Sequence, residues 1–130
     1  MELLGGIQGM QHAIQTPVGD PAFGTRVSHA VAQLKEAFAV HVEETEGPSG
    51  LYAEVLDDAP RLAPYLSTLV GDHRSVWNAL DELEGRLSGR HPAEAVRRDA
   101  DRLIREVWQH RQRGADLLHE AYETDLGGET

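Results

Sequence analysis

Three histidines carry the first chemical signal in this sequence. His41, His73 and His110 each fall in line with apolar residues that recur at spacings of four and three. An imidazole turned toward a core is either a nitrogen ligand for a metal ion or a polar group that must find a partner; left unsatisfied, it costs about 1–3 kcal/mol. Around His41 the stretch "FAVHVEETEG" (residues 38–47) adds carboxylates, which are anionic metal donors. Glu44, three residues after His41, lies on nearly the same helical face and can share an ion with it. Glu46, five residues after, is close enough to the segment's end to swing inward. His12 supplies a fourth imidazole near the N-terminus. His29, His91 and His119 fall off the apolar lines and read as solvated.

The elements that must position these groups are helices. No run of β-branched and aromatic residues alternates with period two, so strands are not expected. From about Phe23 to Glu46 the line is Val27, Val31, Leu34, Phe38, His41, Thr45. From Arg61 to Ser88 it is Leu62, Leu66, Leu69, His73, Val76, Leu80, Leu83, Leu87. From Pro92 to about Thr124 it is Val96, Ala100, Leu103, Val107, His110, Gly114, Leu117, Ala121. Chance placement of three histidines on such lines has odds of roughly 2 % if two of seven positions face inward, and roughly 8 % if three do. "EGPSG", "SGRHP" and "LGG" supply the stops. "ELLGGIQGMQHAIQ" reads as a shorter helix weakened by three glycines and ended by Pro17. Residues 51–60 read as an extra helical turn or two.

The expected architecture is all-α, an up-down-up-down four-helix bundle formed by a single domain spanning residues 1–130. His73 lies about fifteen residues before its helix ends and His110 about eighteen after the next begins, a mismatch of roughly 5 Å, so the two can meet. His12 can join only if "TPVGDPAFG" runs extended, where eight residues span roughly 26 Å. His41 needs residues 47–60 to climb beside the bundle. Mid-helix Gly114 suggests close helix packing, or a small pocket beside the site.

Composition excludes several function classes. With 22 acids against 12 Lys and Arg, a net charge of −10 argues against nucleic acid or an anionic membrane as partner. No apolar run approaches the ~18 residues of a membrane span. The opening "MELLGGIQGMQ" has neither the basic region nor the apolar core of a signal peptide. Cysteine is absent, which removes disulfides and thiolate chemistry and fits a cytoplasmic protein. No serine stands beside a histidine as a nucleophile would, and the glycine cluster "LGGIQGM" has no preceding strand or lysine. No catalytic residue or reaction is assigned.

One histidine per helix, with acids just after one of them, resembles the hemerythrin-like (HHE cation-binding) family along nearly the whole chain. The 29-residue separation of His12 and His41 is similar to that of the family's first two histidine ligands. "DHRSVWNALDEL" and "WQHRQRGADLL" resemble its third- and fourth-helix segments. The resemblance implies non-haem iron between the helices, with an open position for dioxygen, peroxide or nitric oxide. It also implies His12, His41, His73 and His110 as nitrogen ligands, with Glu44 or Glu46 as the anionic one. The chain departs from the family at Thr45 and Gly114, where bridging carboxylates usually stand, and at Trp77, where a second histidine sometimes does. A set so depleted suits one ion better than two, iron or another divalent metal. The competing reading has no metal. Arg113, three residues after His110, would neutralise Glu44 or Glu46 in a buried His–Glu–Arg network, and the bundle would serve protein association.

Overall fold

Helical periodicity, with nothing in the chain to favour pairing of extended segments, is realised throughout. The computed structural model describes residues 2–124, with the side chains of residues 2–122. Among the described residues five α-helices follow one another: α1 (Leu3–Ala13), α2 (Phe23–Glu46), α3 (Leu51–Asp58), α4 (Ala63–Ser88) and α5 (Ala93–Leu118). A 3₁₀ turn, Pro60–Leu62, leads into α4, and a π-helical turn, His119–Thr124, continues α5. There is no strand among the described residues. No helix among the described residues is long and apolar enough to cross a membrane.

Proline and glycine set the boundaries more than side-chain caps do. Pro64 stands in the first turn of α4, where its missing N–H costs nothing, and Pro92 immediately precedes α5. Gly47 and Pro48 end α2. The connection into α2 is a series of tight turns and not the extended strap that His12 would need to join the others. The N–H of Thr16 donates to Ala13 O, that of Asp20 to Pro17 O and that of Phe23 to Asp20 O. The Asp20 carboxylate also accepts from the Ala22 N–H at 2.8 Å, holding the chain at the mouth of α2.

The four longer helices form a ring in which α1 touches α2, α2 touches α4, α4 touches α5 and α5 touches α1. Each neighbour runs antiparallel to the last. Lys35 of α2 pairs with Asp81 and Glu84 of α4, whereas His41 meets the helix farther back, at His73. In the same way Arg86 pairs with Asp99 while His73 meets His110. The glycines of α1 include one with a purpose. A Cβ on Gly6 would stand 3.0 Å from Leu34 Cδ1 and 3.2 Å from Leu34 Cα, so its absence lets α1 lie close on α2. Gly114 is the reverse case. No atom lies within 4 Å of a Cβ built there, so it marks no close packing.

Apolar residues collect in two clusters. The larger joins α1, α2, α4 and α5 through residues such as Ile7, Met10, Leu34, Phe38, Leu80 and Leu103, all fully buried. The smaller gathers Tyr52 and Val55 of α3, Leu66 and Leu69 of α4, and Leu117 and Ala121 at the far end of the chain. The three inward histidines lie between the two.

Candidate metal centre

Position along each helix follows directly from the apolar lines. His73 sits between Leu69 of the smaller cluster and Val76 of the larger, and His110 between Leu117 and Val107. Both are buried, at 2 % and 1 % exposure, and His41, one turn past Phe38, is partly buried. The Phe38 ring forms the floor, with centroids 5.8 Å from His41, 5.5 Å from His73 and 6.4 Å from His110. Trp77 braces it edge-on at 5.3 Å.

The three rings converge through their Nε2 atoms. His110 Nε2 lies 3.0 Å from His41 Nε2 and 2.9 Å from His73 Nε2. One ligand atom from each of the three can be chosen so that all lie within 4.8 Å of one another. The opposite edges of two rings are held by acids. Glu46 Oε2 is 2.5 Å from His73 Nδ1, and Asp72 Oδ2 is 3.0 Å from His110 Nδ1. Arg113 Nη1 donates to the other oxygen of Asp72 at 2.7 Å.

These contacts decide the tautomers. A carboxylate on Nδ1 requires the proton there, so neutral His73 and His110 each carry a lone pair on Nε2. Those two lone pairs face each other at 2.9 Å, a repulsion that a shared cation, a metal ion or a proton, relieves. Two nitrogens bound to one ion at about 2.0–2.1 Å stand roughly 2.9–3.4 Å apart for bond angles between octahedral and tetrahedral. The two separations from His110 fall in that range, and His41 and His73 complete a set that lies within 4.8 Å. A carboxylate behind a ligating imidazole is also the usual way a metal site orients its histidines and raises their basicity. Three imidazoles so arranged could hold a metal ion.

Electrostatics point the same way. Burial, reinforced by His110 and His73, depresses the His41 imidazole from its ordinary value to about 4. Burial also lowers His110, against the raising effect of Asp72. Both rings are thus kept neutral, as ligands must be. From α3, Tyr52 stacks on His73 with planes 16° apart and places its Oη 3.3 Å from His73 Nε2. Burial pushes that phenol up to about 12.

Of the residues singled out by sequence, His41, His73 and His110 are brought together and the others are not. His12 is exposed. The tight turns after α1 make it antiparallel to α2 with Gly6 level with Leu34, which leaves His12 and His41 about 20 Å apart along the axis at 1.5 Å per residue. Glu44 is exposed on the outer face of α2. Glu46 does swing inward, but onto Nδ1 of His73, on the far edge of the ring from the convergence point. Arg113 neutralises neither glutamate, because Asp72 of the neighbouring helix holds it. Thr45, at the position of a bridging acid in the resembled family, donates its hydroxyl to His41 O at 2.8 Å. Asp72 and Tyr52 were missed. Asp72 sits one residue before His73, turned about 100° toward α5, and only the docking of α5 gives it a role. Tyr52 lies on the extra helix, whose placement no periodicity reveals.

Compared with family models, curated proteins and solved structures, the chain matches none.

Proposed function

We propose that this bundle binds one non-haem divalent metal ion, iron in the first place, and offers it to a small ligand such as dioxygen, peroxide or nitric oxide, in the manner of a hemerythrin-like protein. One observation carries the reading: two imidazoles with Nδ1 protons committed to Glu46 and Asp72 present their Nε2 lone pairs to each other at 2.9 Å. His41 supplies the third nitrogen, and two carboxylates at one remove offset the charge of a divalent ion. A second ion finds no support, because the acids that would bridge it stand behind the rings or in solvent. When bound, the ion would supply Lewis acidity and, if iron, a one-electron couple. His41 is the partly buried member of the three, so solvent and ligand would reach the centre on its side. A cytoplasmic location belongs to the same reading, consistent with a chain that carries no cysteine.

Calorimetric titration of chelator-stripped protein with ferrous and zinc ions tests this. The expected outcome is one ion per chain, lost in His73→Ala and unaffected in His12→Ala. Asp72→Asn should weaken binding by about 10–100-fold, as removal of an orienting carboxylate does. Heat no greater in the wild type than in the His73→Ala variant would instead favour a metal-free network serving protein association.

A further inference from the structure

Three imidazoles leave any ion under-coordinated, and one oxygen donor of this chain already stands beside one of them, His73. Tyr52 Oη stands 3.3 Å from His73 Nε2. That is the edge expected between two donors on one tetrahedral ion, roughly 3.3 Å for bonds of about 2.0–2.1 Å. The ring is 8 % exposed, is held in the smaller apolar cluster, and lies nearly parallel to His73. Building on the metal reading above, we propose that Tyr52 is the fourth ligand, completing a three-histidine, one-phenolate centre that favours ferric iron.

The hydroxyl's acceptor in this arrangement is the His73 Nε2 lone pair, the same lone pair that an ion would take. Once it is taken, the hydroxyl loses that acceptor and keeps only its hydrogen bond with Thr45, and the displacement that carries the oxygen onto the ion is short. The accounting is simple. The phenol O–H bond breaks, its proton leaves to solvent through the open side at His41, and one oxygen–metal bond forms. Neutral imidazoles alone accommodate several divalent metals, whereas a hard anionic oxygen shifts preference toward the harder, more highly charged ferric ion. No sequence periodicity marks Tyr52, because α3 lies outside the ring of longer helices.

Spectroscopy on ferric protein decides the matter without reference to any activity. Chelator-stripped chain is loaded with one equivalent of ferric nitrilotriacetate, as wild type, as Tyr52→Phe, and as the double variant Tyr65→Phe, Tyr122→Phe. Those two tyrosines donate elsewhere, to Arg113 O and to Asp58. Wild type and double variant should show a visible phenolate-to-iron charge-transfer band with tyrosinate vibrations in resonance Raman. Tyr52→Phe, which keeps the ring that stacks on His73, should lose the band and release one proton fewer per ion bound. Should Tyr52→Phe fail to fold, the double variant still decides, since it retains Tyr52 as its only tyrosine. Ferric binding without a phenolate signature, or a band that survives in Tyr52→Phe, would overturn the assignment of Tyr52 and leave the histidine centre standing. Absence of both ferric and zinc binding in the wild type would overturn the two together.

Discussion

At the scale of single residues, the informative feature is which edge of each imidazole is occupied. Glu46 and Asp72 take the Nδ1 edges of His73 and His110, so the Nε2 edges are left to face one another. His41 has no carboxylate on either nitrogen among the described residues, and its burial works unopposed against protonation. This gives a pH dependence whose sign is fixed. In the unfolded chain His41 takes up a proton near its ordinary value of 6.5, but in the folded, metal-free chain only near 4. Between those values the unfolded state binds more protons, so stability falls as pH falls and levels off below about 4. His110, lowered as well, adds in the same direction. Urea unfolding of chelated protein at intervals from pH 7.5 to about 4 should show this decline, and His41→Gln should make it shallower. A wild-type curve no steeper than that of the variant would mean that His41 is not held neutral by the fold.

At the scale of elements, the two glycines on which the sequence reading leaned exchange meanings. Gly6 looked like one of three weaknesses in a short helix, yet it stands where α1 lies close on α2. Gly6→Ala gains helix propensity of about 1 kcal/mol but forces a methyl to within 3.2 Å of the Leu34 backbone, an overpacking cost of about 1–3 kcal/mol, so net destabilisation is expected. Gly114→Ala meets open space inside α5 and should stabilise by roughly 0.5–1 kcal/mol. Thermal or denaturant unfolding of the two variants should therefore move in opposite directions. Equal shifts of one sign would remove the packing explanation for Gly6. The short α1 also explains why only three helices furnish histidines. With Gly6 level with Leu34, α1 begins about one turn before the layer of His41, and α3 brings Tyr52 to that layer by another route.

At the scale of the whole molecule, the polar layer of His41, His73 and His110 lies between two apolar clusters. The larger cluster draws on four helices and buries most of the large aliphatic side chains. The smaller rests on an eight-residue helix and the extremities of α4 and α5. An ion held at the junction would couple them; without it, the smaller cluster is the weaker cooperative unit. Hydrogen exchange in chelated protein should rise first in residues 51–58 and 117–122, with Leu34, Leu80 and Leu103 remaining protected. Added metal should restore protection at the smaller cluster selectively. Uniform change across both clusters would show that the junction contributes no more than general stability.

The sequence by itself determined the helices, their apolar faces and the inward placement of His41, His73 and His110. Each depends on a repeat of about 3.6 residues that a single helix carries alone. Tertiary structure decided which polar groups meet. His12 entered through its 29-residue spacing from His41 and lies remote, because turns between Ala13 and Phe23 set the direction in which α1 returns along α2. Asp72 and Tyr52 satisfied no local criterion, yet they flank the cluster, because contacts between residues distant in the chain depend on helix rotation and docking that no periodicity specifies. Glu46 lay between these cases: its reach inward was legible from its place near a helix end. That it would take the Nδ1 edge of His73 followed only from where α4 sits beside α2.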